Sequence, residues 1–535
     1  MIERGRWARA LAAGAVAALL LSAALAIVDP RGDFVRAWLA YGVVAIVCAW
    51  LLVAAWLRVG SEAPLTVMLA ILVALGLRLV IGTVLIRVLP VAGYPTEPQQ
   101  AGYVYWDAYK RDTDAWSISR MQDPGPGLAA ARLSSDQYLG MVTLSAGVYR
   151  LVSPDAHRPL LMVEFAAIAS ALGVLFTWAI GRALLGERVG RLAAWGMALF
   201  PEAVLLGSSQ MREPFLIAFF AMGFYGFALE RQGFRRSGVG WMAMGVLLAL
   251  PLSPPFALTL LVGLVGAWAW EGRSGWKGRK PALAVAAGLA LVSLVLMARA
   301  WSSIGDLGDL GADAILRWWA HATDTWRMGL LIEGSPIIGF FLNMFPPWAQ
   351  MPVITAYGLL LPLLPAALAD ASNPVWWTIA VFRAVGWTVL IPFLIGALVL
   401  ILQRHRWREI QVYLLVIVII TSLVAATRAS SLQWDNPRYR AVLLFAQVIL
   451  AAWAWDETRR LRNPWLGRVA VIESADLLLI LWWYAGRYWG LPKIGLSRTL
   501  AGLAVVTLGL LGLFLLQDFR RRRRVGRLTP PRPTV

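Results

Sequence analysis

Residues 65–89 read LTVMLAILVALGLRLVIGTVLIRVL, 25 positions in which only Arg78 and Arg87 carry charge. As α-helix, at about 1.5 Å per residue, this run is longer than the roughly 30 Å hydrocarbon core of a bilayer. The rest of the chain repeats the pattern. Of its 535 residues 59% are apolar and 15% charged, with a mean hydropathy of +0.66. A soluble chain of this size carries about a quarter charged residues. The sequence therefore predicts an all-α, polytopic integral membrane protein. About 14 spans can be drawn, at 10–28, 38–57, 65–89, 160–184, 191–207, 214–229, 239–251, 255–270, 281–299, 376–402, 410–427, 439–455, 469–485 and 496–517. The run 350–369 is read as a re-entrant or tucked helix, because a further full span would carry the arginine-rich turn 403–409 to the other side.

Charge supports this map. The termini and turns assigned to the cytoplasm (1–10, 57–64, 182–191, 230–238, 271–280, 403–409, 456–468 and 518–535) hold 28 basic and 9 acidic residues, and the remainder holds 21 of each. Positive charge resists translocation, so both termini are expected inside. The basic start followed by an apolar run resembles a signal peptide, but another span follows within about ten residues and the run is read as a retained first helix. The Arg520 to Arg524 run reads as an anchor on anionic phospholipid rather than a nucleic-acid arm. One cysteine, Cys48, excludes disulfides within the chain, and three scattered histidines argue against a histidine-clustered zinc or haem site.

Two long segments are left on the outer face. In 103–127, YVYWDAYKRDTDAWSISRMQDPGPG, the acids Asp107, Asp112, Asp114 and Asp123 alternate with Tyr103, Tyr105, Trp106, Tyr109 and Trp116. If 103–120 is helical, Asp107 and Asp114 share a face and Asp112 lies off it. This stretch and 137–151, just past Asp136, suit amphipathic helices on the outer interface. The second segment, 300–349, carries Asp306, Asp309, Asp313, Asp324 and Glu333 with Trp318, Trp319 and Trp326; its acids read as a solvated face.

Shorter turns are sharper signals. FPEAVLLGSSQMREPFL, 200–216, sets Glu202 near one span end and Arg212, Glu213 and Pro214 at the start of the next. QWDNPRYRAVLLF, 433–445, sets Asp435, Asn436, Arg438, Tyr439 and Arg440 against a span. Charge at such depth must be paired, hydrated or used, and arginine forks suit phosphate oxygens. Arg78, mid-span, needs a carboxylate, a backbone carbonyl or an anion; Glu164 and Arg383 lie in outer halves of spans, and Glu473 with Asp476 reads as a structural pair. His157 is read as structurally satisfied.

Outer aspartates after an early span, an Arg-acid-Pro turn and a late Arg-Tyr-Arg turn resemble the GT-C membrane glycosyltransferases over about residues 65–455. The likeness is to the bacterial branch with protein mannosyltransferases and the enzymes that place aminoarabinose on lipid A. It implies transfer of a hexose or pentose from a polyprenyl-phosphate-linked donor to a lipid, glycan or protein acceptor, on the outer face of the bacterial cytoplasmic membrane. Carried over, the first-loop acid falls on Asp107 or Asp112, with Glu213 as a supporting acid. Tyr105, Trp106, Tyr109, Asp114, Arg212, Arg438, Tyr439 and Arg440 are expected at substrate, the arginines at the carrier phosphate. Asp107 and Glu213 are the expected ligands if Mg²⁺ or Mn²⁺ takes part; no organic cofactor is expected. Aromatic surroundings are expected to raise the Asp107 pKa.

This sequence departs from the family in two ways: its acidic loop follows the third span rather than the first, and that loop lacks an adjacent acid pair. A polysaccharide polymerase or ligase would share the architecture but lean on arginines; a transporter or flippase of lipid-linked substrate would use Arg78, Glu164 and Arg383 as a buried path. Organisation is expected as a hairpin 1–64, a core 65–299, an outer and re-entrant segment 300–375, C-terminal spans 376–517 and a basic tail 518–535. In a Cys48→Ala background, Gln122→Cys should react with an impermeant maleimide on intact cells, while Phe234→Cys and His405→Cys should not. Outside labelling at position 405 would overturn the re-entrant assignment.

Overall fold

The computed structural model describes residues 2–29, 31–271, 280–302, 336–429 and 435–528. The acids Asp306, Asp309, Asp313, Asp324 and Glu333 and the tryptophans 318, 319 and 326 lie outside the described residues. Every described element is helical. In chain order they are α1 Ile2–Val28, α2 Phe34–Val59, α3 Leu65–Ala92, α4 Glu97–Gln100, α5 Trp106–Ser119, α6 Gly125–Ser134, α7 Gly140–Val152 and α8 Leu160–Leu185. There follow α9 Glu187–Leu199, α10 Pro201–Gly207, α11 Glu213–Arg231, α12 Arg235–Leu252, α13 Pro254–Glu271 and α14 Lys280–Ser302. The remaining helices are α15 Pro336–Met344, α16 Pro347–Leu360, α17 Leu364–Leu368, α18 Pro374–Arg404, α19 Ile410–Arg428, α20 Asp435–Arg440, α21 Leu444–Leu461, α22 Trp465–Tyr488 and α23 Leu496–Leu528.

The chain is a multi-pass membrane protein. Eleven described helices are long and apolar enough to cross a bilayer, and the bent pair α9–α10 makes a twelfth if it counts as one span. All 14 expected spans fall on helices. The three outside the eleven are α9–α10, α12 and α1, whose apolar part, Ala12–Val28, is short. The runs 103–120 and 137–151 form α5 and α7, and α16 and α17 have 14 and 5 residues, too short to span.

The chain forms two compact units: 1–361 with 406–453, and 362–405 with 454–535. In the second, Arg468 pairs with Asp518 at 2.8 Å, Asn463 bonds Gln403 at 2.7 Å, and Arg404 pairs with Glu457. The first unit carries the candidate site. Its centre is α8 and α11, each with 89% of its apolar window buried. Around them α2 and α3 leave Val43, Val47, Leu72, Val80 and Val84 exposed, the faces that lipid covers.

A break in one helix positions the site. Proline lacks an N–H, so Pro201 leaves the Met197 carbonyl without its helical donor, and the chain bends by 56° between α9 and α10. Arg78, fully buried, serves the freed carbonyls: Nη1 donates to Ala198 O at 2.8 Å and Nη2 to Met197 O at 3.3 Å. Nε donates to Ser170 Oγ at 2.6 Å, and Nη1 also to Ala74 O at 3.0 Å. The partners of Arg78 are thus backbone and a hydroxyl, which ties α3, α8 and α9 together. Glycine is required on both sides of this joint. A Cβ at Gly207 would stand 2.9 Å from Arg78 Cδ, and one at Gly82 would stand 2.8 Å from the Ser208 carbonyl. The redirected chain then delivers Glu213 at the start of α11, with Pro214 in a first-turn position where no N–H is needed.

Arg78→Met should lower the stability of the purified protein by about 1–3 kcal/mol for each carbonyl it leaves unpaired. Thermal unfolding in detergent checks this; an unchanged transition would show that Arg78 does not hold the bend.

Candidate functional site

Arg438, on α20, is buried and presents each guanidinium nitrogen to a different carboxylate. Nη2 lies 3.0 Å from Asp107 Oδ2, Nε 3.2 Å from Glu213 Oε1 and Nη1 3.4 Å from Asp435 Oδ1. Its guanidinium carbon also stands 5.3 Å from the Tyr439 ring centre. Asp107 comes from the first turn of α5 and Glu213 from the first turn of α11. Carboxylates are favoured there by the helix dipole.

α20 is clamped from its other side. Asn436 Nδ2 donates to Gly358 O at 2.7 Å, and Arg440 donates to the carbonyls of Leu359, at 2.8 Å, and Leu361. Arg440, expected at the carrier phosphate, is therefore found closing the end of α16. Arg438 and Arg440 are two residues apart, about 200° around a helix, and so cannot serve the same ligand from one regular turn.

Two more arginines reach the acids. Arg111 lies 3.4 Å from Asp107 Oδ2 and donates to Ser135 O at 3.1 Å, and its Nη1 is buried with no hydrogen-bond partner. Arg212 lies 4.0 Å from Asp136, with a buried Nε that has no hydrogen-bond partner. Asp136 also accepts from the N–H groups of Met141 and Val142, at 3.0 and 3.3 Å, fixing the start of α7. Glu213 is buried, and its Oε2 has no hydrogen-bond partner. The cluster thus holds buried, incompletely satisfied donors and one incompletely satisfied acceptor around the half-exposed Asp107. Such groups are costly unless something fills them.

Burial raises the Asp107 pKa, but Arg438 and Arg111, with Arg212 behind them, outweigh it and hold the carboxyl below its usual value. The expected rise is corrected accordingly: the arginines, not the aromatic rings, set this group. Burial and the positive charge of Arg212 lower the pKa of Arg111.

Asp112 lies elsewhere. Buried on another face of α5, it accepts from Tyr103 Oη and Tyr149 Oη, both at 2.6 Å, and lies 2.9 Å from His157 Nε2. His157 stacks on Trp116 with ring centres 5.4 Å apart. Burial, then the Asp112 charge, pushes both tyrosines well above their usual pKa. Both oxygens of Asp112 are thus engaged in joining α5 to α7 and the start of α8.

Asp114 also stays apart, 3.1 Å from Lys110 and 3.4 Å from Ser134. Of the expected aromatics Tyr105 is buried, Tyr109 half-buried and Trp106 59% exposed, so Trp106 is the most open of the three rings. Sequence reasoning missed Arg111, although its i, i+4 spacing from Asp107 is a readable pairing signal. It also missed the position of Asp136 in the cluster, for which spacing gives no sign, and the pairing of Asp435 with Arg438, whose i, i+3 spacing is as readable as that of Arg111.

Mg²⁺ or Mn²⁺ would need several oxygen ligands facing one point. Here one guanidinium lies against both Asp107 and Glu213, and among the described residues no three His, Cys, Asp or Glu side chains gather to hold a metal. With Arg438 in place these carboxylates do not fit a divalent ion.

No family model matches the chain, and no curated protein matches it either. Two solved structures of an oligosaccharyltransferase from the archaeon Archaeoglobus fulgidus are similar in fold. One is AglB in complex with an inhibitory peptide and a dolichol-phosphate, at 12% identity and TM-score 0.34, covering 83% of this chain and 54% of that one. The other is the enzyme in its apo form, at 13% identity and TM-score 0.37, covering 78% and 55%. The chain spans about half the length of these two proteins. At such TM-scores the likeness carries no functional weight, and the site's own residues must supply the function.

Because the folded pKa of Asp107 is depressed, its contribution to stability is full above the unfolded value of about 3.9 and is lost as pH falls through the folded value. Melting curves from pH 7 to pH 3 should show the parent above Asp107→Asn at neutral pH, with the gap closing in acid. A gap independent of pH would contradict the pairing.

Proposed function

We propose that the protein is a membrane glycosyltransferase that moves one sugar from a polyprenyl-phosphate carrier to a hydroxyl of a lipid, glycan or protein acceptor. The face is the outer one of the bacterial cytoplasmic membrane, with both termini inside. The observation that carries this reading is the Arg438 guanidinium shared among Asp107, Glu213 and Asp435. A lone structural pair does not need three acids. A phosphate sensor beside a carboxylate base uses them well, because the acids hold the arginine charged and aimed until the ligand arrives.

The chemistry follows from the charges. A donor phosphate competes with Asp107 for Arg438, with Arg212 and Arg111 nearby as further donors. As the guanidinium turns to phosphate, Asp107 loses the partner that suppressed its basicity. Its carboxylate then takes the proton of the acceptor hydroxyl while that oxygen attacks the anomeric carbon. The bond from that carbon to the phosphate oxygen breaks, and its electron pair leaves with the polyprenyl phosphate, where the arginines meet the growing negative charge. One displacement inverts the anomeric centre. Trp106 is placed to stack on the sugar, and Glu213 keeps Arg438 in position. Asp112 is assigned to hold α5 rather than to accept the proton.

The test is sugar transfer in lipid nanodiscs from a panel of polyprenyl-phosphate sugars, beside donor binding. Asp107→Asn should cost about a hundred- to ten-thousand-fold in rate with donor affinity retained or raised, since the charge that competes with phosphate for Arg438 is gone, and Arg438→Ala should weaken donor binding about ten-fold or more. Transfer should survive EDTA. Near-parental transfer by Asp107→Asn would remove the base, and loss of activity in EDTA with recovery on Mn²⁺ would give Asp107 and Glu213 to a metal instead. A parent that moves lipid-linked sugar across the bilayer without transferring it would favour the flippase reading.

A further inference from the structure

The N-terminal helices α1 and α2 and the turn between them also help build a second feature. The turn after α1, the end of α3, the α4 region and the start of α8 line a half-open cavity of about 330 Å³. Its wall has an apolar part, Val28, Ile86, Pro90 and Leu160, and a polar part that includes Arg31, Arg87, Gln100 and His157. It lies where α1 and α3 end and α8 begins, which is head-group depth for three apolar helices.

The charges in this wall do not cancel. Among the described residues Asp29 is its only carboxylate. One Asp29 oxygen lies 2.7 Å from Arg31 Nε, and the other accepts from Tyr41 Oη at 2.5 Å. The two terminal nitrogens of Arg31 and the whole guanidinium of Arg87 have no partner among the described residues. His157, in the same wall, is held by Asp112 from behind. The wall therefore carries two arginines and one carboxylate, which Arg31 and Tyr41 already engage, beside apolar surface at the membrane face.

We propose that this cavity binds a phosphate ester through Arg31 and Arg87, as a site separate from the Arg438 cluster. Arginine forks match phosphate oxygens, and the apolar wall suits the carbon backbone next to the phosphate. The phosphate can come from an anionic phospholipid head group or from a soluble ester, and two measurements separate them. Native mass spectrometry of protein released from nanodiscs containing phosphatidylglycerol counts retained lipid. A thermal shift in detergent with glycerol 1-phosphate reads the soluble ester.

Arg87→Gln alters an exposed side chain and should leave the fold intact, whereas Arg31→Gln also frees Asp29. Each variant should bind the competent probe about ten-fold more weakly than the parent, from the loss of one charge-assisted contact. Asp107→Asn should bind it as the parent does, which separates this site from the proposed transfer chemistry. An effect in the lipid arm alone assigns a head group, and an effect with glycerol 1-phosphate assigns a soluble ester. If Arg87→Gln matches the parent in both arms, the cavity is not a phosphate site.

Discussion

One guanidinium ion holds this site together. Arg438 meets Asp107, Glu213 and Asp435 with its three nitrogens, and these acids come from parts of the chain more than 200 residues apart at the extremes. A buried charge is tolerated only when paired, and removing one partner of such a cluster leaves another uncompensated. The surrounding fold serves that requirement. Arg78 holds the bend that brings α10 and then Glu213 round, while Asn436 and Arg440 pin α20 to the end of α16. Asp136 fixes the start of α7, and Asp112 fixes α5 against it.

The two faces of α5 divide this labour. Asp107 and Asp112 are five residues apart, about 140° around the helix. One face turns a half-exposed carboxylate toward arginines; the other buries a carboxylate among two tyrosines and a histidine. Chemically identical side chains thereby receive opposite environments. Asp107 keeps access to solvent and is paired only with arginines, whereas Asp112 has no oxygen to spare. The same logic separates Arg438 from Arg440 on α20.

The spans were legible because apolar runs of membrane length have few other uses in a chain this poor in charge. Glu213 and Asp107 were legible because an acid at the membrane face must be paired or used. The partner of Arg78 was not, since the carbonyls of Met197 and Ala198 become acceptors only through a bend that no side-chain pattern announces. Asp112 stood close behind Asp107 as a candidate base for a similar reason: its donors, Tyr103, Tyr149 and His157, are supplied by tertiary packing. Arg440 looked like a second phosphate ligand because its neighbours in sequence, not the α16 carbonyls, were what the sequence displayed.

The central claim is that Asp107 and Arg438 act as one unit that donor phosphate divides. A double-mutant cycle on transfer rate, with Asp107→Asn, Arg438→Gln and the pair, measures that directly. The account expects strong coupling, the double variant being no slower than the worse single one. Losses that simply multiply would contradict it.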